Sequence, residues 1–168
     1  METHNTENVK LSANFTLREM VSSYTARRKG IDNTPSAKVV NNLGRLCRRI
    51  LQPIRDAWGE PIIVSSGYRC PDLNRYVKGA VGSDHTHGCA ADIKTVGDMP
   101  ARNKQLFDLI HKMYQEGKLP QLKQVIDEYN YDWLHVAFQD GRTTKIGQFI
   151  HIQTPSNSPM KGENINRS

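Results

Sequence analysis

No stretch of this 168-residue chain approaches the roughly eighteen consecutive apolar residues of a membrane span, so a membrane-inserted protein is not expected. Cysteine is scarce. Cys47, Cys70 and Cys89 form no C-x-x-C pair, which argues against a disulfide scaffold and a structural zinc knuckle. Aromatic residues make up 7% of the chain, too few for the interleaved basic and aromatic array of a nucleic-acid binder. The opening Met1-Glu2-Thr3-His4-Asn5 is polar and lacks the apolar core of a signal peptide, so synthesis in the cytoplasm is expected. No internal repeat is present.

What remains is a composition of 37% hydrophobic and 24% charged residues, which fits one globular domain. The formal net charge of +6 favours polyanions in general, such as the phosphate-rich polymers of a bacterial envelope. Most of the excess is diffuse. Arg45, Arg48 and Arg49, clustered beside Lys38, read as a solvated helix face, and net charge alone does not make nucleic acid a partner. Residues 1–11 read as a flexible leader, 12–153 as the folded domain and 154–168 as a polar, disordered tail.

Thr16-Leu17-Arg18-Glu19 is a capping-box signature for a short helix reaching about Ser22. Thr34-Pro35 offers a cap and a first-turn proline ahead of a long helix. Val39, Leu43, Leu46, Cys47, Ile50, Leu51, Ile54 and Trp58 recur on one face of it. Ile62-Ile63-Val64 reads as a short buried strand, followed by a turn at Ser65 to Arg69. A small helix over 71–77 and a flexible 78–82 lead into a histidine-rich segment. Ala90 to Lys94 reads as a strand, and Pro100 opens a helix ending near Gly117. Gln124-Val125-Ile126 and Leu134 to Phe138 read as strands, with Gly141 turning the latter into another at 147–152. The sum is an α+β domain: a small, mostly antiparallel sheet with helices on one side.

The chemistry concentrates in Ser83-Asp84-His85-Thr86-His87-Gly88-Cys89-Ala90-Ala91-Asp92 and in Trp133-Leu134-His135-Val136. Two imidazoles and a carboxylate are enough to hold a zinc ion with one position left open for water. Strand alternation sends Asp92 away from Ala91 and Ile93, and His135 away from Leu134 and Val136. Either His85 or His87 can complete the set on spacing alone. His4, His111 and His151 have no partner at suggestive spacing. Cys47 reads as a small core residue, and Cys70 and Cys89 lie nearer the suspected site. A metal-dependent hydrolase also needs a base. Asp132, three residues before His135, is the nearer choice, and Glu128 is the reserve. Arg69 can hold a substrate carboxylate or a developing oxyanion.

The order Ser65-Ser66-Gly67-Tyr68-Arg69, Asn74, Ser83-x-His85-x-x-Gly88-x-Ala90-x-Asp92 and Trp133-x-His135 resembles the zinc D-alanyl-D-alanine carboxypeptidase family. That family includes bacteriophage endolysins that cut the L-alanyl-D-glutamate bond. The likeness covers about residues 12–152, and Phe15 to Met20 is similar to the opening helix of its small members. It implies a hedgehog/D-Ala-D-Ala peptidase-like fold and Zn2+ on His85, Asp92 and His135. It further implies Arg69 at the scissile peptide, with Tyr68 and Ser83 beside the substrate. Asp132 stands where many relatives carry glutamate, one methylene longer.

The implied function is hydrolysis of peptide bonds in peptidoglycan stems or crosslinks, by a monomer. It would reach the bacterial wall after holin-type release or as a virion component. The alternatives are a cytoplasmic D-Ala-D-Ala dipeptidase and a non-catalytic, zinc-holding wall-binding module.

Overall fold

The computed structural model describes residues 9–97 and 99–153, and the backbone of Glu163 and Asn164. Its strands are β1 (Ile62–Ser66), β2 (Ala90–Thr95), β3 (Leu122–Glu128), β4 (Trp133–Phe138), β5 (Gln148–Ile152) and β6 (Glu163–Asn164). They form one mixed sheet in the order β1-β2-β4-β3-β5-β6. All neighbours are antiparallel except β3 and β5. The helices are α1 (Leu17–Val21), α2 (Tyr24–Lys29), α3 (Ala37–Leu46), α4 (Gln52–Trp58), α5 (Pro71–Tyr76) and α6 (Pro100–Gln115). The α+β architecture expected from the sequence is the one found.

One sheet face is apolar because alternate residues make it so. Ala91, Ile93, Val125, Leu134 and Val136 are fully buried there. Leu43, Leu46, Ile50 and Ile54 join the same core, as do Leu106, Phe107, Ile110 and Met113 of α6, which packs on β2, β3 and β4. The opposite face is left for polar chemistry.

Several local expectations change. The long helix is continuous, but it passes through one turn of π-helix at Cys47–Leu51. This turn ends two residues before Pro53, whose missing N–H and bulky ring disturb the regular ladder. Its cap is Ser36, whose hydroxyl accepts from Val39 N–H, while Thr34 bonds Asp32 instead. β1 is an edge strand rather than a buried one, and Ile63 is 39% exposed. β5 does not form a hairpin with β4. Both edges of β4 are occupied, by β2 and β3, so β5 takes the free edge of β3 and runs parallel to it. Helix α2 had no counterpart in the sequence reading, since Ala26 is its one buried residue.

Of the leader, Val9 to Leu11 is tied down: Leu17 N–H donates to Val9 C=O at 2.8 Å, and Leu11 is buried. Residues 1–8 lie outside the described residues, as does the proposed tail at 154–168 apart from the β6 backbone. Among the described residues, no helix is long and apolar enough to cross a membrane.

After β1 the chain passes under α1 at very close range. Tyr68 N–H donates to Met20 C=O at 2.7 Å, and a Cβ on Gly67 would lie 2.2 Å from that same oxygen. Backbone meets backbone there, so neither side can swing away. Gly67→Ala is expected to cost about 1–3 kcal/mol, as overpacking typically does. Urea unfolding should show a lower midpoint at unchanged slope.

Candidate metal centre

Asp92 and His135 are direct cross-strand partners in the middle of the sheet, on β2 and β4. Alternation points both away from the helices. His85 reaches them from a short 3-10 helix, Asp84–His87, which Gly88 ends in a left-handed conformation (φ 72°). A Cβ on Gly88 would lie 2.8 Å from Val39 C=O, so the tight return of the chain needs glycine twice over.

Three atoms converge: His85 Nε2, Asp92 Oδ1 and His135 Nδ1, each 3.2 Å from the other two. Hydrogen bonds cannot account for this triangle. His85 Nδ1 donates to Gly67 C=O at 2.7 Å, so in the neutral ring Nε2 carries a lone pair and no proton. At most one proton, on His135 Nδ1, is then left for three contacts. A cation closes such a triangle. Tetrahedral bonds of about 2.0–2.1 Å place ligand atoms roughly 3.3–3.4 Å apart, close to the spacing found. The Gly67 carbonyl is the outer partner that metal-binding imidazoles usually have. Burial works against charge on Asp92, but His85 and His135 outweigh it and hold the carboxyl below its usual range.

The centre opens into a cleft of about 770 Å³ lined by Tyr68, Arg69, Ser83, Glu128, Tyr129 and Trp133, among others. The two carboxylates considered as base are placed very differently. Glu128 is the last residue of β3, two positions beyond Ile126, which pairs with His135, and so shares its face. Burial pushes its carboxyl above the usual range, against the opposing pull of His135. Asp132 is exposed, precedes β4, and is not among the cleft residues.

Arg69 donates through Nη1 to Asn74 Oδ1 at 3.2 Å, while its buried Nε has no partner. Burial draws its guanidinium down, and Asp92 and Glu128 hold it up. Asn33 fastens this segment, donating to Val21 and Tyr68 carbonyls and accepting from Cys70 N–H at 2.7 Å. Ser83 Oγ accepts from His85 N–H at 3.3 Å.

The other candidates separate from the centre. His87 is not among the cleft residues, and its carbonyl accepts from Asn42. All three cysteines are free and buried. Cys70 Sγ caps α5, and the Cys89 thiol is pushed up to about 12 by burial and by Asp140.

Sequence reading missed the link between Asp127 and His151, whose Nδ1 donates to Asp127 Oδ2 at 2.8 Å. The other Asp127 oxygen accepts from Tyr131 N–H. Together they tie down a turn in which Tyr129, Asn130 and Tyr131 all have positive φ, at 52°, 59° and 66°. Three successive non-glycine residues in that region cost about 1–2 kcal/mol each. Tyr129 packs edge-on against Trp133 with ring centres 5.1 Å apart, forming an aromatic wall beside Glu128.

A His–Asp–His triangle opening into a cleft, on an α+β sheet, is a set of residues able to hold a metal ion beside a substrate. The sequence profile of the Peptidase M15 family matches residues 13–124, and the chain belongs to that family. It is a zinc metallopeptidase by class. No curated protein matches the chain. The matched segment ends before Glu128 and His135, so their place in the site rests on geometry.

One equivalent of zinc should bind the metal-free protein and stabilise it by about 2.7 kcal/mol at a hundredfold excess over Kd. Thermal unfolding with and without zinc checks this. His135→Ala should abolish the shift, whereas His87→Ala should retain it.

Proposed function

We propose that this protein hydrolyses peptide bonds in peptidoglycan stem peptides or crosslinks, with zinc held by His85, Asp92 and His135. The observation that carries the reading is Glu128, a half-buried carboxylate on the same sheet face as His135, at the edge of an extended cleft. When bound, zinc supplies Lewis acidity to the scissile carbonyl and to a water molecule.

Glu128 takes a proton from the attacking water and returns it to the leaving amine nitrogen. It replaces Asp132 in that role, because Asp132 lies outside the cleft. Burial of its carboxyl keeps proton return feasible, since a raised pKa makes the protonated form easier to reach. Arg69 faces the same cleft with a fixed positive charge, suited to a developing oxyanion or a substrate carboxylate. Tyr68 and Ser83 line the substrate path, and Ser83 also steadies the His85 backbone.

The cleft's extent favours a polymer over a free dipeptide. It follows β3 from Lys123 to Glu128, about 16 Å at strand rise. Ile126, opposite His135, lies between those ends. A chain can therefore continue on both sides of the cut, as an endopeptidase requires.

Purified peptidoglycan digested by the zinc-loaded protein should release fragments with new amino termini, identified by mass spectrometry. Glu128→Gln should lower kcat by at least about a hundredfold, the lower end of general-base contributions. Asp132→Asn should leave kcat within about threefold. The opposite ranking of these two variants would return the base to Asp132. Cleavage of free D-Ala-D-Ala alone, with polymer untouched, would make the protein a dipeptidase.

A further inference from the structure

A second polar cluster adjoins the metal centre, next in sequence to His85, and has no part in the proton transfers above. Asp84, the residue before His85, is buried, and its two oxygens accept from Lys123 Nζ at 2.9 and 2.7 Å. Arg142 Nη2 donates to Asp84 Oδ1 at 2.7 Å, and Arg142 Nε donates to Asp140 Oδ2 at 2.5 Å. Cys89 Sγ completes the group, donating to Asp140 Oδ2 at 3.5 Å. Two carboxylates and two cations cancel.

The backbone is shaped for this contact. Pairing of β3 with β4 runs from Leu122↔Phe138 directly to Gln124↔Ala137, so Lys123 is the extra residue of a β-bulge. A bulge re-aims a side chain, and here it delivers a buried ammonium to Asp84.

We propose that Lys123 is a positioning residue for the metal ligand His85, acting through Asp84. The 3-10 helix that carries His85 is four residues long and closely follows the exposed residues Ala80, Val81 and Gly82. So short a helix does not hold its own orientation. Lys123 sits on the strand between β4, which supplies His135, and β5. Its bond to Asp84 therefore references the His85 loop to the sheet that fixes the other two ligands. Lys123 also lines the cleft, and the competing role is a cation for substrate. The charge balance disfavours that role, because Asp84 already engages the ammonium with both oxygens.

The inference rests on the metal-centre reading, and the test separates the two. Zinc affinity is measured by competition with a chromophoric chelator for the parent, Lys123→Met, Lys123→Arg, and Lys123→Gln with and without Asp84→Asn. Urea unfolding of each metal-free protein and kcat and KM on peptidoglycan accompany it. Lys123→Met should bind zinc about 10–100-fold more weakly, as loss of an outer-shell partner does. Lys123→Arg should stay within about threefold of the parent.

Should Lys123→Met fail to fold, the glutamine pair decides. Adding Asp84→Asn to Lys123→Gln should restore part of the lost affinity, because a neutral hydrogen-bonded pair replaces a buried carboxylate left with Arg142 alone. No restoration, in variants that fold, overturns the proposal. So does a Lys123→Met protein with parental zinc affinity, whether KM rises, as for a substrate contact, or does not. Parental zinc affinity in His135→Ala would instead show that the metal-centre reading itself had failed.

Discussion

The functional architecture depends on one cross-strand pair, Asp92 opposite His135. Both lie on inner strands, each hydrogen-bonded to a neighbour on either side. A register slip of one residue would turn either side chain into the apolar core and bring a leucine or isoleucine out. The packing of Ala91, Ile93, Leu134 and Val136 under the helices therefore fixes the two polar groups on the far face. Two ligands mounted on rigid strands leave one to be supplied by a loop. That one, His85, is held at its ring by Gly67, at its backbone by Ser83, and beside it by Asp84.

The same alternation separates Glu128 from Asp132. A strand that includes Val125 and Asp127 on its buried side must present Gln124, Ile126 and Glu128 on the other. Asp132 lies one residue before β4, and its backbone N–H closes the connecting turn onto Glu128 C=O at 3.0 Å. That turn is locally unfavourable, since only asparagine among its three left-handed residues tolerates such φ readily. It persists because Asp127, Asn103 and Ile152 bond its backbone from three sides. Strain maintained by surrounding structure is common where geometry serves a site. Here it sets the rim on which Glu128 and Tyr129 stand.

Much of this was legible in the residues themselves. The S-x-H-x-x-G-x-A-x-D run carried two members of the triangle and the glycine their spacing needs, and alternation around Leu134 and Val136 gave the direction of His135. The α+β class followed from helical periodicity at 39–58 and from short strands bounded by turns. Glu128 was read as a loop residue because β3 was read as ending at Ile126. Its last two residues look polar, and Asp127 is buried only through His151 and Tyr131, partners invisible to local pattern. The parallel placement of β5 and the Lys123 bulge are likewise long-range facts. Neither a strand's neighbour nor the target of a bulged side chain is written in nearby sequence.

Metal binding and loop order are linked at this site. Three atoms 3.2 Å apart around an ionised carboxylate are an arrangement that a cation satisfies better than hydrogen bonding does. The loop carrying His85 is the part of the site with freedom to move, because the two strand residues cannot shift without disturbing the core. Binding of the ion and ordering of that loop are therefore coupled. The ties to Gly67, Ser83 and Asp84 limit the freedom of that loop. They keep His85 in place before the ion arrives, so less of the binding free energy is consumed in ordering the loop.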